Sequence, residues 1–169
     1  MGVEHNFRPD LFGTLRGGVS YTDNYNDPND TTGWGPYVSA SLTWNYTADT
    51  TFSAGFSQDF STTDVVGQDP NDYVRGVNNS VAYISFRHRL APNLFISGNG
   101  TFQYSVFDGG GDTYDGEADM FLLGNISLEY WFNKHLSAHI GYNYDNLNSD
   151  ISGRSYDRNR AYIGLSATY

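Results

Sequence analysis

Ser137, His139 and Asp145 are the residues whose types could together do covalent chemistry. A serine hydroxyl, an imidazole base and an orienting carboxylate are the parts of an acyl-transfer site. Their spacing argues against one. Ser137 and His139 stand at i and i+2, about 7 Å apart on an extended strand, too far for direct hydrogen bonding. No nucleophile motif surrounds them. A histidine satisfied inside the fold is the plainer reading, and no catalytic residue is expected.

A second group is acidic: Asp108-Gly-Gly-Gly-Asp112-Thr-Tyr-Asp115-Gly-Glu117-Ala-Asp119. Carboxylate oxygens suit Ca2+. The run lacks EF-hand spacing, and a solvated loop explains it as well. No cofactor and no resident metal is expected. The third group is dispersed: Arg16, Asp59, Arg87, Arg89, Glu129, His139 and Arg160. If one face carries them all, they form a charge network. Such a network either selects ions in a pore or only stabilises a filled interior.

Positioning these residues falls to strands. Apolar or small residues alternate with polar ones along eight segments, the signature of a strand with two unlike faces. The rows are Leu11–Tyr21, Val38–Tyr46, Phe52–Phe60, Ala82–Leu90, Leu94–Tyr104, Leu122–Phe132, Leu136–Tyr144 and Ala161–Tyr169. Gln58 and His88 are the exceptions. Most rows span about nine to eleven residues, enough for a tilted strand to cross a bilayer. Aromatics gather at row ends: Tyr21, Phe60, Tyr104 and Tyr144 at one, Trp44, Tyr46, Tyr130 and Phe132 at the other. This arrangement predicts two interfacial girdles.

The links alternate in length. Thr47-Ala48-Asp49, Ala91-Pro92-Asn93 and Asn133-Lys134-His135 are short; Thr22–Pro36, Ser61–Asn79, Asp108–Asp119 and Asp145–Asn159 are long and polar. All long links therefore lie at one end. Phe7-Arg8-Pro9-Asp10-Leu11 repeats the short-turn step, so Met1–Phe7 is either a displaced segment or a further strand.

The face opposite the apolar rows decides which way they point. It is small and hydroxylated: Ser39, Ser41, Thr43 and Asn45; Ser53, Gly55 and Ser57; Ser97, Asn99, Thr101 and Gln103. A soluble surface would carry Lys and Glu, yet Lys134 is the only lysine. Such a face suits a lumen with a few charges.

Composition agrees. The chain has 169 residues, 14 Tyr, 11 Phe and 19 Gly, which favours strands and turns. Mean hydropathy is −0.51 with no long apolar run, which excludes a transmembrane helix and not a barrel. There is no cysteine, hence no disulfide scaffold. Met1-Gly2-Val3-Glu4-His5-Asn6 is no signal peptide, so an exported protein would be in mature or recombinant form here. With 9 Lys+Arg against 19 Asp+Glu, nucleic acid is not an expected partner.

On this pattern the chain resembles bacterial outer-membrane β-barrels of the OmpA and OmpX size class. The likeness covers nearly the whole chain. Its local motif is Tyr162-x-Gly164-x-x-Ala167-x-Tyr169, similar to the C-terminal signal read by the barrel assembly machinery; Ala167 is smaller than the residue usual there. The Pro-Asn-Leu turn and the Tyr156-Asp157-Arg158-Asn159-Arg160 entry also resemble a group of outer-membrane porins, usually longer and with more strands. The resemblance implies an all-β fold: an antiparallel up-and-down transmembrane β-barrel of about eight strands, in one domain over residues 1–169. Short turns would be periplasmic and long loops extracellular, in a Gram-negative outer membrane. Lipid, lipopolysaccharide and the assembly machinery are the implied partners. The acidic loops themselves suggest a softer form of the Ca2+ reading, divalent cations bridging their carboxylates to lipopolysaccharide phosphates. Oligomerisation is left open. The expected role is structural or at the surface, without catalysis; the alternative is a passive porin, or the C-terminal portion of a larger porin-like barrel.

Overall fold

The computed structural model describes residues 1–23, 32–61, 74–109 and 114–168. They form one sheet of nine antiparallel strands in sequence order. These are β1 (Gly2–Arg8), β2 (Leu11–Asp23), β3 (Thr32–Thr47), β4 (Thr50–Ser61), β5 (Val74–Ala91), β6 (Leu94–Gly109), β7 (Ala118–Asn133), β8 (Leu136–Ser149) and β9 (Tyr156–Ala167). The strand count is thus nine, where the alternation predicted about eight. The ninth is β1, whose Val3 and His5 register on Leu15 and Gly13 of β2.

Among the described residues β1 and β9 do not pair, so the sheet is open rather than a closed barrel. Because the strands alternate in direction, β1 and β9 run the same way.

Four two-residue turns share one end: Pro9-Asp10, Ala48-Asp49, Pro92-Asn93 and Lys134-His135. Each is stitched to the next hairpin. The carbonyls of Asp10, Asp49, Asn93 and His135 accept backbone N–H groups from Asn45, Arg89, Trp131 and Thr168 at 2.8 Å. Leu11, Thr50 and Leu94 open their strands opposite Trp44, His88 and Tyr130, three residues before the next strand ends. That constant stagger is the shear of tilted strands.

The strands outrun the apolar rows. Residues assigned from the sequence to long loops are strand: Thr32–Pro36, Val74–Asn79 and Asp145–Ser149 among them. Polar residues on both faces hide the alternation there. Pro36 shows why this is tolerated. It registers on Val19, but the β3–β4 ladder begins only at Val38, so its missing N–H leaves no gap. A strand of 16 residues such as β3, tilted by about 40°, rises roughly 40 Å, against an apolar band of about 25 Å.

Burial is the reverse of that in a water-soluble sheet. On β7, Met120, Leu122, Ile126, Leu128, Tyr130 and Phe132 are exposed, while Asn125, Ser127 and Glu129 between them are half-covered. Ile163 and Leu165 of β9 are 82% and 72% exposed. Among the described residues the buried hydrophobics are Val77, Phe107 and Ile151.

Candidate functional site

The candidate site is the polar face. Its small hydroxyls satisfy one another sideways. Thr14 and Ser41 meet at 2.8 Å, Thr43 and Ser53 at 3.2 Å, and Ser97 and Ser127 at 2.9 Å, each pair directly opposite in register. Toward the long-link end Ser105 donates to Asn79 at 2.7 Å, and Gln103 donates to Ser105 at 2.9 Å.

Rings lie over glycines between these rows. Tyr37 faces Gly18, Tyr83 faces Gly55, Tyr162 faces Gly141 and His139 faces Gly164, every pair in direct cross-strand register. A Cβ at any of these glycines would collide with the ring. Each glycine is therefore a seat that holds an aromatic flat against the sheet. Phe86 over Gly98 repeats the device on the apolar face. The sequence pattern places His139 in a charge network and Tyr162 in an assembly signal. The structure places their ring centroids 6.0 Å apart, each on the other strand's glycine.

The remaining charges form separate pairs. Arg87 bonds Glu129 at 3.0 Å across β6, with its guanidinium 4.7 Å from the Phe95 ring centre. Arg89 reaches down to Asp49 in a turn at 3.1 Å. Arg16 bonds Glu4 of β1 at 3.3 Å. Asp59 registers on Asn79 and makes no ion pair among the described residues. Arg160 bonds Asp145 at 3.2 Å, and Arg158 bonds the same oxygen at 2.6 Å. Asp145 is 1% exposed. Glu4, Asp49 and Arg158 were not among the expected network. Arg158 shares the parity of Arg160 and was findable; the others needed the register.

At the long-link end the polar face carries an apolar cluster. Phe107 and Val77 pack with Ile151, and Tyr114 lies against them. Arg154 caps this cluster, 5.5 Å from the Phe107 ring centre and 2.8 Å from Asp119.

The three residues with hydrolase-like types do not converge. Asp145 is taken by two arginines, and His139 sits six positions away over Gly164. Ser137 is buried opposite Ser166. In the acidic run, Asp115 accepts the Gly109 N–H at 2.9 Å and Asp119 binds Arg154. Asp112 lies outside the described residues. Among the described residues no three His, Asp or Glu side chains cluster as a metal site would require.

The family model described as Putative beta-barrel porin 2 matches residues 1–169. The chain belongs to that family. The nine-strand antiparallel meander is the architecture such a barrel wall needs, and the family implies an outer-membrane location. No curated protein and no solved structure matches the chain.

In this porin-family chain the row-end aromatics stand as follows. Trp44 packs on Tyr46 and Tyr130 on Phe132, with centroids 4.9 and 5.2 Å apart. At the other end Tyr21 meets Trp34 at 4.7 Å; Trp34 lay in what the sequence read as loop. Tyr104 is exposed there, and Tyr144 donates to Asp157 at 2.9 Å. Phe60 instead packs over Gly35 and Gly76. Of the C-terminal motif, Ala167 ends β9 opposite Leu136, and Tyr169 lies outside the described residues.

Proposed function

We propose that the nine strands are wall of a transmembrane outer-membrane channel, a passive porin without catalytic or cofactor chemistry. One observation carries this: the sheet is open, with its apolar face exposed and its polar face made of small, mutually satisfied groups. A hydrocarbon environment accepts exposed leucines and isoleucines but no unpaired sheet edge. Since β1 and β9 run the same way, antiparallel closure takes an odd number of further strands. That favours a barrel wider than eight strands, and small inward residues leave it room for water. Lipid and lipopolysaccharide then cover the apolar face, and the assembly machinery inserts it.

Planar-bilayer recording of purified protein tests this. Discrete conductance steps are expected; their absence from protein that migrates as a heat-modifiable band would overturn the channel. The structural barrel is the second reading. It draws on the Phe107 cluster, which fills part of the polar face at the long-link end.

A further inference from the structure

Among the described side chains, the polar face holds one place where positive charge is left over. Arg158 and Arg160, at i and i+2 on β9, both turn to the carboxylate of Asp145. Arg158 donates through Nε at 2.8 Å and through its terminal amine at 2.6 Å; Arg160 donates at 3.2 Å. All three bonds end on one oxygen of Asp145. One buried carboxylate thus holds two guanidiniums, a net charge of +1.

The other ion pairs of this face balance one to one. Arg87 has Glu129, Arg16 has Glu4, and Arg154 has Asp119. Among the described residues the other acids nearby are engaged: Asp119 by Arg154, and Asp157, on the apolar face, by Tyr144 and Asn146. The titratable groups facing the pair from adjoining positions are Asp145, Tyr156, Tyr162 and His139.

A guanidinium carries five N–H donors and no acceptor. Asp145 takes two from Arg158 and one from Arg160, so most donors of both remain. Both arginine side chains are 51% exposed, whereas the carboxylate that fixes them is 1% exposed. Asp145 pre-orders the two forks, which lowers the entropy lost when a ligand bridges them.

We propose that Arg158 and Arg160, held by Asp145, form a binding subsite for a small oxyanion, a phosphate or carboxylate, on the solute-facing side of the wall. The fork geometry of two neighbouring guanidiniums matches two oxygens of one such anion. This deepens the porin reading, since a solute reaches that face only if it lines a water-filled space.

Inorganic phosphate titrated calorimetrically into the folded protein in a non-ionic, phosphate-free detergent tests the subsite. Saturable binding that weakens with ionic strength is expected. R160Q, which keeps the shorter Arg158–Asp145 contact and so the fold, should weaken it by about tenfold. R158Q/R160Q should abolish it, and R87Q should leave it unchanged. Binding that is absent, or that survives R158Q/R160Q, would overturn the proposal. So would competition by phosphatidylglycerol added to the micelles, because a lipid headgroup would then own the site. Conductance with no phosphate binding removes the subsite and leaves the channel. Phosphate binding through Arg158 without conductance removes the channel and leaves the subsite.

Discussion

At the short-turn end each hairpin closes in two residues and gives one carbonyl to the next hairpin. At the long-link end the strands continue past their apolar rows, and Val77, Phe107 and Ile151 pack under Arg154. The first end repeats one backbone hydrogen bond at every turn; the second has backbone bonds of its own, Phe107 with Glu117 and Gly116, and adds a buried side-chain cluster. Backbone stitching tolerates most substitutions because any residue supplies the carbonyl. A three-residue cluster does not, because each member makes up much of it.

That contrast can be broken in order of expected effect. Phe107→Ala should be the most damaging, at about 3 kcal/mol by urea unfolding in micelles, because it empties the centre of the cluster. Phe102→Ala, on the exposed face, should lose less than half of that. If the two are equal, the cluster is not an organising element. Asp145→Ala should lose about 2 kcal/mol, less than a fully buried pair, since both arginines can relax into water. Gly141→Ala drives a methyl into the Tyr162 ring and should cost about 1.5 kcal/mol. Gly124→Ala, with nothing within 4 Å, should be neutral; a similar loss at both would refute the seated-ring account. Asp10→Ala sits at the stitched end, where Oδ2 of Asp10 accepts the Trp44 indole N–H at 2.9 Å. It should cost only about 1 kcal/mol, because its stitching carbonyl survives.

The strands and the turns were legible because a period of two and a Pro-Asn step are local signals. Row Leu122–Phe132, the sixth alternating row of the sequence, lies within β7 (Ala118–Asn133). What stayed hidden depends on register. Nothing local says that Asp145 faces Arg158, because the two lie far apart in sequence and are joined by the β8–β9 link rather than by a two-residue turn that would set the register. The extensions Val74–Asn79 and Asp145–Ser149 were unreadable for another reason: polar residues on both faces erase alternation. The seated rings could have been suspected from the alternating glycines and tyrosines, but which tyrosine covers which glycine is again a matter of register.

The stitched turns also bear on how the sheet is made. Among the described residues every ladder joins strands adjacent in sequence, so contacts are local and the closure entropy at each step is small. The carbonyl that each turn projects is a docking point available before the following hairpin arrives. A growing edge can thus act as template for the next two strands, and assembly proceeds as a zipper with a moving front. A register error at one turn would be passed to every hairpin added after it.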